Sequence, residues 1–211
     1  TFDWPGGLNY RESKNHPGVI INGDITGPNA SVNSWLGQGG LGNTLLLNGK
    51  VVLKSCLSSV SGNLKTTLEL ANPLNEIDFV SLQYGYVNLM KAGCVSEKTV
   101  IEHKKDQYGP GEVRIKDGET IVINTIKSDP NSLTKIIVKT LANNPETFLH
   151  IRANQDTYFD GTFTKSISVI YNPKGNYTFT FASVAASKTV GTLDIQGGTF
   201  KFENQASFDN A

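Results

Sequence analysis

Apolar and polar residues alternate along short runs over most of the chain. Each run closes on Gly, Pro, Asn or Asp, which is the pattern of a strand with one buried face. The alternation predicts strands over Val19–Thr26, Thr44–Lys54, Leu64–Leu70, Ile77–Leu89, Thr99–His103, Glu112–Lys116, Thr120–Ile126, Thr134–Leu141, Thr147–Arg152, Thr162–Tyr171, Tyr177–Val184 and Thr189–Phe202. Turn residues separate them: Asn48-Gly49, Tyr108-Gly109-Pro110-Gly111, Asp117-Gly118, Asp129-Pro130-Asn131, Asn143-Asn144-Pro145, Asp160-Gly161 and Asn172-Pro173-Lys174-Gly175. Asp117-Gly118, between two β-branched runs, predicts a hairpin. No window of about a dozen residues keeps the i, i+3, i+4, i+7 spacing of a helix. The expected fold class is therefore all-β, most simply a β-sandwich. No repeat of fixed period stands out. Thr1–Gly18, with Trp4, Pro5, Gly6, Gly7 and Pro17, reads as an irregular arm.

Composition narrows the partners. The chain has 211 residues, of which 18% are charged, and its 19 basic and 19 acidic residues cancel. Nucleic acid and anionic membranes need a basic surplus or patch, so neither is an expected partner. The longest uncharged stretches are rich in Gly, Asn and Ser, and none approaches the roughly 18 apolar residues that span a bilayer. Thr1 stands where a Met would begin a nascent chain, which reads as a removed leader and hence export. Cys56 and Cys94 lie 38 positions apart (94 − 56) with no ligand pair nearby, so they match no zinc spacing. In an exported chain they read as a disulfide; two buried free thiols are the alternative.

Catalytic chemistry has no motif. His16, His103 and His150 are isolated, HExxH, GxSxG and CxxC do not occur, and no metal or cofactor is expected. Gly37, Gly39 and Gly42 match GxGxxG but lead into the strand-like Thr44–Leu47 instead of a helix, so a loop is the better reading. Asp156 and Asp160-Gly161 lack the ligand spacing of a calcium loop. Lys104, Lys105, Arg114 and Lys116, with Tyr108 among them, read as a solvated hairpin face, with an anionic-glycan site as the alternative. Asn29-Ala30-Ser31 and Asn176-Tyr177-Thr178 match the glycan acceptor pattern.

Two segments far apart carry a resemblance. In Gly18-Val-Ile-Ile-Asn-Gly-Asp-Ile-Thr26, the residues Val19, Ile21, Gly23 and Ile25 share one face. In Thr162-Phe-Thr-Lys-Ser-Ile-Ser-Val-Ile-Tyr-Asn172, so do Phe163, Lys165, Ile167, Val169 and Tyr171. Together they resemble the two ends of a chaperone–usher pilus subunit. With Asp3-Trp4, Pro17–Pro28 and Trp35–Leu41, the chain looks most like the adhesive major subunits of the thin flexible fimbriae of enterotoxigenic Escherichia coli. The approach to Cys56, Gly49-Lys-Val-Val-Leu-Lys-Ser-Cys56, resembles type 1-like pilins instead. The resemblance covers about residues 3–41 and 160–172 at motif level.

The resemblance implies an immunoglobulin-like β-sandwich completed by a donated strand. Residues 1–26 would be an arm and donor strand carrying Val19, Ile21, Gly23 and Ile25, and residues 27–172 the pilin domain. Ile167, Val169 and Tyr171 would edge the groove that a chaperone reads. Residues 173–211 depart from the pattern and would be an extra hairpin, or a linker with a second donor-like strand in which Leu193, Ile195 and Gly197 repeat the order. The implied function is a non-enzymatic, adhesive subunit of a surface fimbrium, exported through the periplasm. Its partners would be neighbouring subunits, a periplasmic chaperone, an outer-membrane usher and a host glycan receptor, with Trp35, Tyr108 and Tyr158 (and Trp4) as ring candidates for sugar stacking. The second hypothesis is a free-standing carbohydrate- or receptor-binding sandwich, such as a lectin or phage attachment domain.

Overall fold

Alternation says which side of a strand is buried; it does not say which strand lies beside it. In the computed structural model the answer is the strand one coil away. It describes residues 2–3, 8–12, 18–36, 44–60, 66–103, 110–129, 135–142, 146–164, 166–182 and 191–203. Every strand pairing among them is parallel. The chain winds as a parallel β-solenoid of about six turns.

One sheet stacks Ile25–Leu36, Val51–Val60, Glu76–Leu82, Val100–His103 and Thr125–Lys127, with Phe2–Asp3 and Leu8–Glu12 both beside Ile25–Leu36. A second stacks Gly18–Ile21, Thr44–Leu47, Thr67–Leu70, Tyr86–Leu89, Gly111–Ile115, Ile136–Thr140 and Thr162–Phe163. A third begins only at Thr120–Ile123 and continues through Thr147–Ile151, Ile167–Tyr171 and Thr192–Ile195. Thr157–Phe159, Thr178–Phe181 and Thr199–Phe202 form a fourth that prolongs the first, joined to it by Ser128 N donating to Tyr158 O at 3.0 Å.

The immunoglobulin-like sandwich is thereby overturned. A sandwich and a solenoid share the alternating pattern, because each strand buries one face in both; they differ in pairing. Asp117-Gly118 does turn the chain, with Gly118 at φ 79°, but it forms a corner and not a hairpin. The strand before it lies in the second sheet and the strand after it in the third. Other single expected strands are bent the same way: Thr44–Lys54 divides at Asn48-Gly49 into Thr44–Leu47 and Val51–Val60, and Ile77–Leu89 into Glu76–Leu82 and Tyr86–Leu89. The described parts of residues 173–211 are further rungs of the same solenoid.

Inward positions of successive coils stack into columns. Leu45, Leu68, Val87, Val113, Val138 and Phe163 are consecutive partners in the second sheet, none more than 1% exposed. Cys56, Val80, Ile101 and Ile126 do the same in the first, all at 0%. Each such aliphatic side chain contributes about 1.5–3 kcal/mol by leaving water. Toward the last coils the columns become aromatic: Phe159, Phe163, Phe179, Phe181, Tyr171, Phe200 and Phe202 form a continuous cluster with ring centroids 4.9–6.3 Å apart.

The coil also widens along its length. The connection from the second sheet to the first runs over residues 22–24, then 48–50, 71–75 and 90–99, and in the next coil it contains the first strand of the third sheet. At the narrow end the corners stack directly. Asn48 Nδ2 donates to Asn22 Oδ1 (3.0 Å) and Asn72 Nδ2 to Asn48 O (3.2 Å). A Cβ on Gly49 would collide with the backbone of Gly23, so this close approach requires glycine.

Candidate functional site

On the outer face of the second sheet, side chains that point away from the core form two parallel columns. One contains Thr67, Tyr86, Glu112 and Ile137, the other Glu69, Asn88, Arg114 and Lys139, each residue in register with the next. Neighbouring rungs are spaced at about 4.8 Å, so the columns make a flat strip along the solenoid axis. The alternation of Glu112-Val113-Arg114-Ile115 sends Val113 and Ile115 inward and the two charged groups outward.

The strip is tightly organised. Arg114 Nε and one of its terminal nitrogens donate to Glu112 Oε2 at 2.9 and 2.8 Å, and Lys139 Nζ lies 2.9 Å from the same oxygen. The Arg114 guanidinium sits 3.5 Å over the Tyr86 ring, a cation–π stack. Burial alone would raise the Glu112 carboxyl, but the hydrogen bonds and charges of Lys139 and Arg114 outweigh it and hold the group below the usual carboxylate range. A carboxylate held this way is a poor proton donor at neutral pH. Beside it Asn88, 5% exposed, donates to Glu69 Oε1 at 2.7 Å, while its own Oδ1 is buried and has no donor.

The sequence-derived candidates are scattered. Cys56 lies in the first-sheet core and Cys94 in the 90–99 connection; both are buried free thiols, with no disulfide between them. Burial pushes Cys56 up to about 12 and Cys94 up to about 11. The donor-strand segment is broken at Asn22–Asp24: Val19 and Ile21 belong to the second sheet, Ile25 starts a first-sheet strand, and Gly23 is an exposed corner with open space around it. Ile167, Val169 and Tyr171 are buried in a strand paired on both sides, so they edge no groove. Tyr158 is half-buried, its hydroxyl 3.4 Å from Glu203 Oε2. Tyr108, Trp4 and the Trp35 side chain lie outside what is described. Of the basic cluster, Arg114 lies in the strip, and Lys104 and Lys105 lie outside the described residues.

Sequence reasoning missed Tyr86, Asn88, Glu112 and Lys139 as a group, because they come from three successive coils. The signal that would have found them is one-coil spacing, 26 positions from Asn88 to Arg114 and 25 from Arg114 to Lys139. Among the described residues no three His, Cys, Asp or Glu groups gather as a metal site, and none forms a helix. Comparison of the chain with protein-family models, curated proteins and solved structures gives no match.

Proposed function

We propose that this chain is an exported, non-enzymatic adhesive module that binds an extended glycan along the outer face of its second sheet. The observation that carries the reading is the strip itself, where a stacked Tyr86–Arg114 pair lies beside the Glu112–Lys139 ion pair. A glycan chain offers hydroxyls for the charged groups of the strip and ring faces for its Tyr86–Arg114 stack. The solenoid supplies a rigid, regularly spaced platform, which keeps the ordering cost of binding low. Attachment to a host glycan is retained from the resemblance. Assembly by donation of Gly18–Thr26 is not, because that segment is already built into two sheets of its own chain.

The test is binding to a panel of neutral and acidic glycans by the parent, Tyr86→Ala, Lys139→Ala and, as a control on the other face, Lys54→Ala. Loss of at least about tenfold in affinity, equivalent to about 1.4 kcal/mol, is expected for the two strip variants. The control should bind like the parent. Absence of binding across the panel, or equal binding by all four proteins, would remove the proposal.

A further inference from the structure

The stacked corners of the narrow end hold two Asn-Gly dipeptides, Asn22-Gly23 and Asn48-Gly49, joined by the hydrogen bond from Asn48 Nδ2 to Asn22 Oδ1. Such a dipeptide can close on itself. The backbone N of the glycine attacks the side-chain Cγ of the asparagine, ammonia leaves, and a cyclic imide forms. Water then opens either imide carbonyl to give aspartate or isoaspartate. Glycine favours the step because it has no Cβ to obstruct the approach.

The two corners differ in the groups that react. Gly49 is buried, and its N–H donates to Ile21 O at 3.2 Å, so the nucleophile is occupied. The leaving group is held as well, because Asn48 Nδ2 is the donor to Asn22 Oδ1. At the other corner Gly23 is exposed, nothing lies within 4 Å of where its Cβ would be, and its N–H has no acceptor among the described residues. The amide nitrogen of Asn22 is likewise without an acceptor there. Its Oδ1, in contrast, receives the 3.0 Å hydrogen bond from Asn48, which polarises the carbonyl under attack and supports the negative charge that builds on that oxygen.

We infer that Asn22 is a site of spontaneous deamidation, promoted by Asn48, whereas the fold protects Asn48 itself. Aspartate at position 22 still accepts the Asn48 hydrogen bond but adds a negative charge beside Asp24. Isoaspartate lengthens the corner backbone by one atom and shifts the corner on which Gly49 is packed.

The experiment is incubation of the full chain in warm, mildly alkaline buffer, with peptide mapping by mass spectrometry and enzymatic methylation of isoaspartate as a second readout. In the native protein Asn22 should convert about tenfold faster than Asn48, the ratio produced by about 1.4 kcal/mol of difference in barrier. In denaturant the two rates should converge. Asn48→Ala should slow Asn22 without changing the circular dichroism of the sheet, and Gly23→Ala should nearly stop it. Equal native rates, an inert Asn22, or the same ratio in denaturant would each overturn the inference, the last by tracing the difference to sequence alone.

Discussion

Replacing Phe181 by alanine tests the solenoid where its interior is most aromatic. Phe181 is 1% exposed, and its ring centroid lies 6.1 Å from Phe159, 5.9 Å from Phe163, 6.3 Å from Phe200 and 6.2 Å from Phe202. Truncating a buried Phe costs about 3–5 kcal/mol, and parallel strands above and below limit how far the hole can collapse. Domains are stable by about 5–15 kcal/mol, so the loss is a large fraction of the whole. For a chain of this length it lowers the melting midpoint by about 6–20 °C, at 2–4 °C per kcal/mol. Phe148→Ala, at 36% exposure on the outer face of the third sheet, should cost less than about 1 kcal/mol. Denaturant titration of both variants gives the magnitudes, and amide hydrogen exchange gives the location. In a stack where each coil touches only its neighbours, lost protection should centre on the coils containing Phe159, Phe181 and Phe202 and fade toward Leu45. Equal effects of the two variants, or protection lost evenly from end to end, would refute the stacking argument.

Burial, and secondarily the charge of Arg152, lower the His150 pKa below 6.5, against an opposing pull from Asp194. The folded state therefore prefers the neutral ring: the stability this preference gives is present above the unfolded pKa and is lost as pH falls through the folded one. Denaturation midpoints across mildly acidic pH should fall more for the parent than for His150→Gln, and parallel curves would remove the assignment. Cys56 and Cys94, with thiols pushed up to about 12 and about 11, should resist a thiol reagent in the native protein and react on unfolding; rapid native labelling would contradict their burial, and a mass two protons short would reveal a disulfide instead. Gly49→Ala should destabilise by about 1–3 kcal/mol through its clash with the Gly23 backbone, whereas Gly23→Ala stays within about 0.5 kcal/mol; similar midpoints for the two would show that the corners are not in contact.

Strand content was legible because burial of one face leaves an alternating trace in any sheet. Parallel pairing was not, since partners lie a whole coil apart and the interval varies: 24 positions from Cys56 to Val80, 21 from Val80 to Ile101, 25 from Ile101 to Ile126. No fixed period survives that variation. Asn48-Gly49 and Asp117-Gly118 were readable as turns, but a solenoid corner and a hairpin use the same residues, and only the company of the flanking strands tells them apart. The face shared by Val19, Ile21, Gly23 and Ile25 looked continuous because alternation carries across a bend in one dimension. In space the chain turns at Asn22–Asp24 and the face ends. The strip of Tyr86, Asn88, Glu112, Arg114 and Lys139 left almost no mark in the sequence, where nothing joins Tyr86 to Lys139.

The widening coil gives each rung an address. A stack of identical coils could shift by one rung and lose little, since every residue would find a neighbour like its own. Here the corner lengthens from residues 22–24 to residues 90–99, a third sheet enters at Thr120, and the interior passes from leucine and valine to phenylalanine. A chain paired one coil out of frame would set large rings against columns sized for leucine and force a long connection across a short corner. The irregularity that hid the repeat from a reading of the sequence thus selects one frame, and it discourages strands of a second molecule from inserting between the coils.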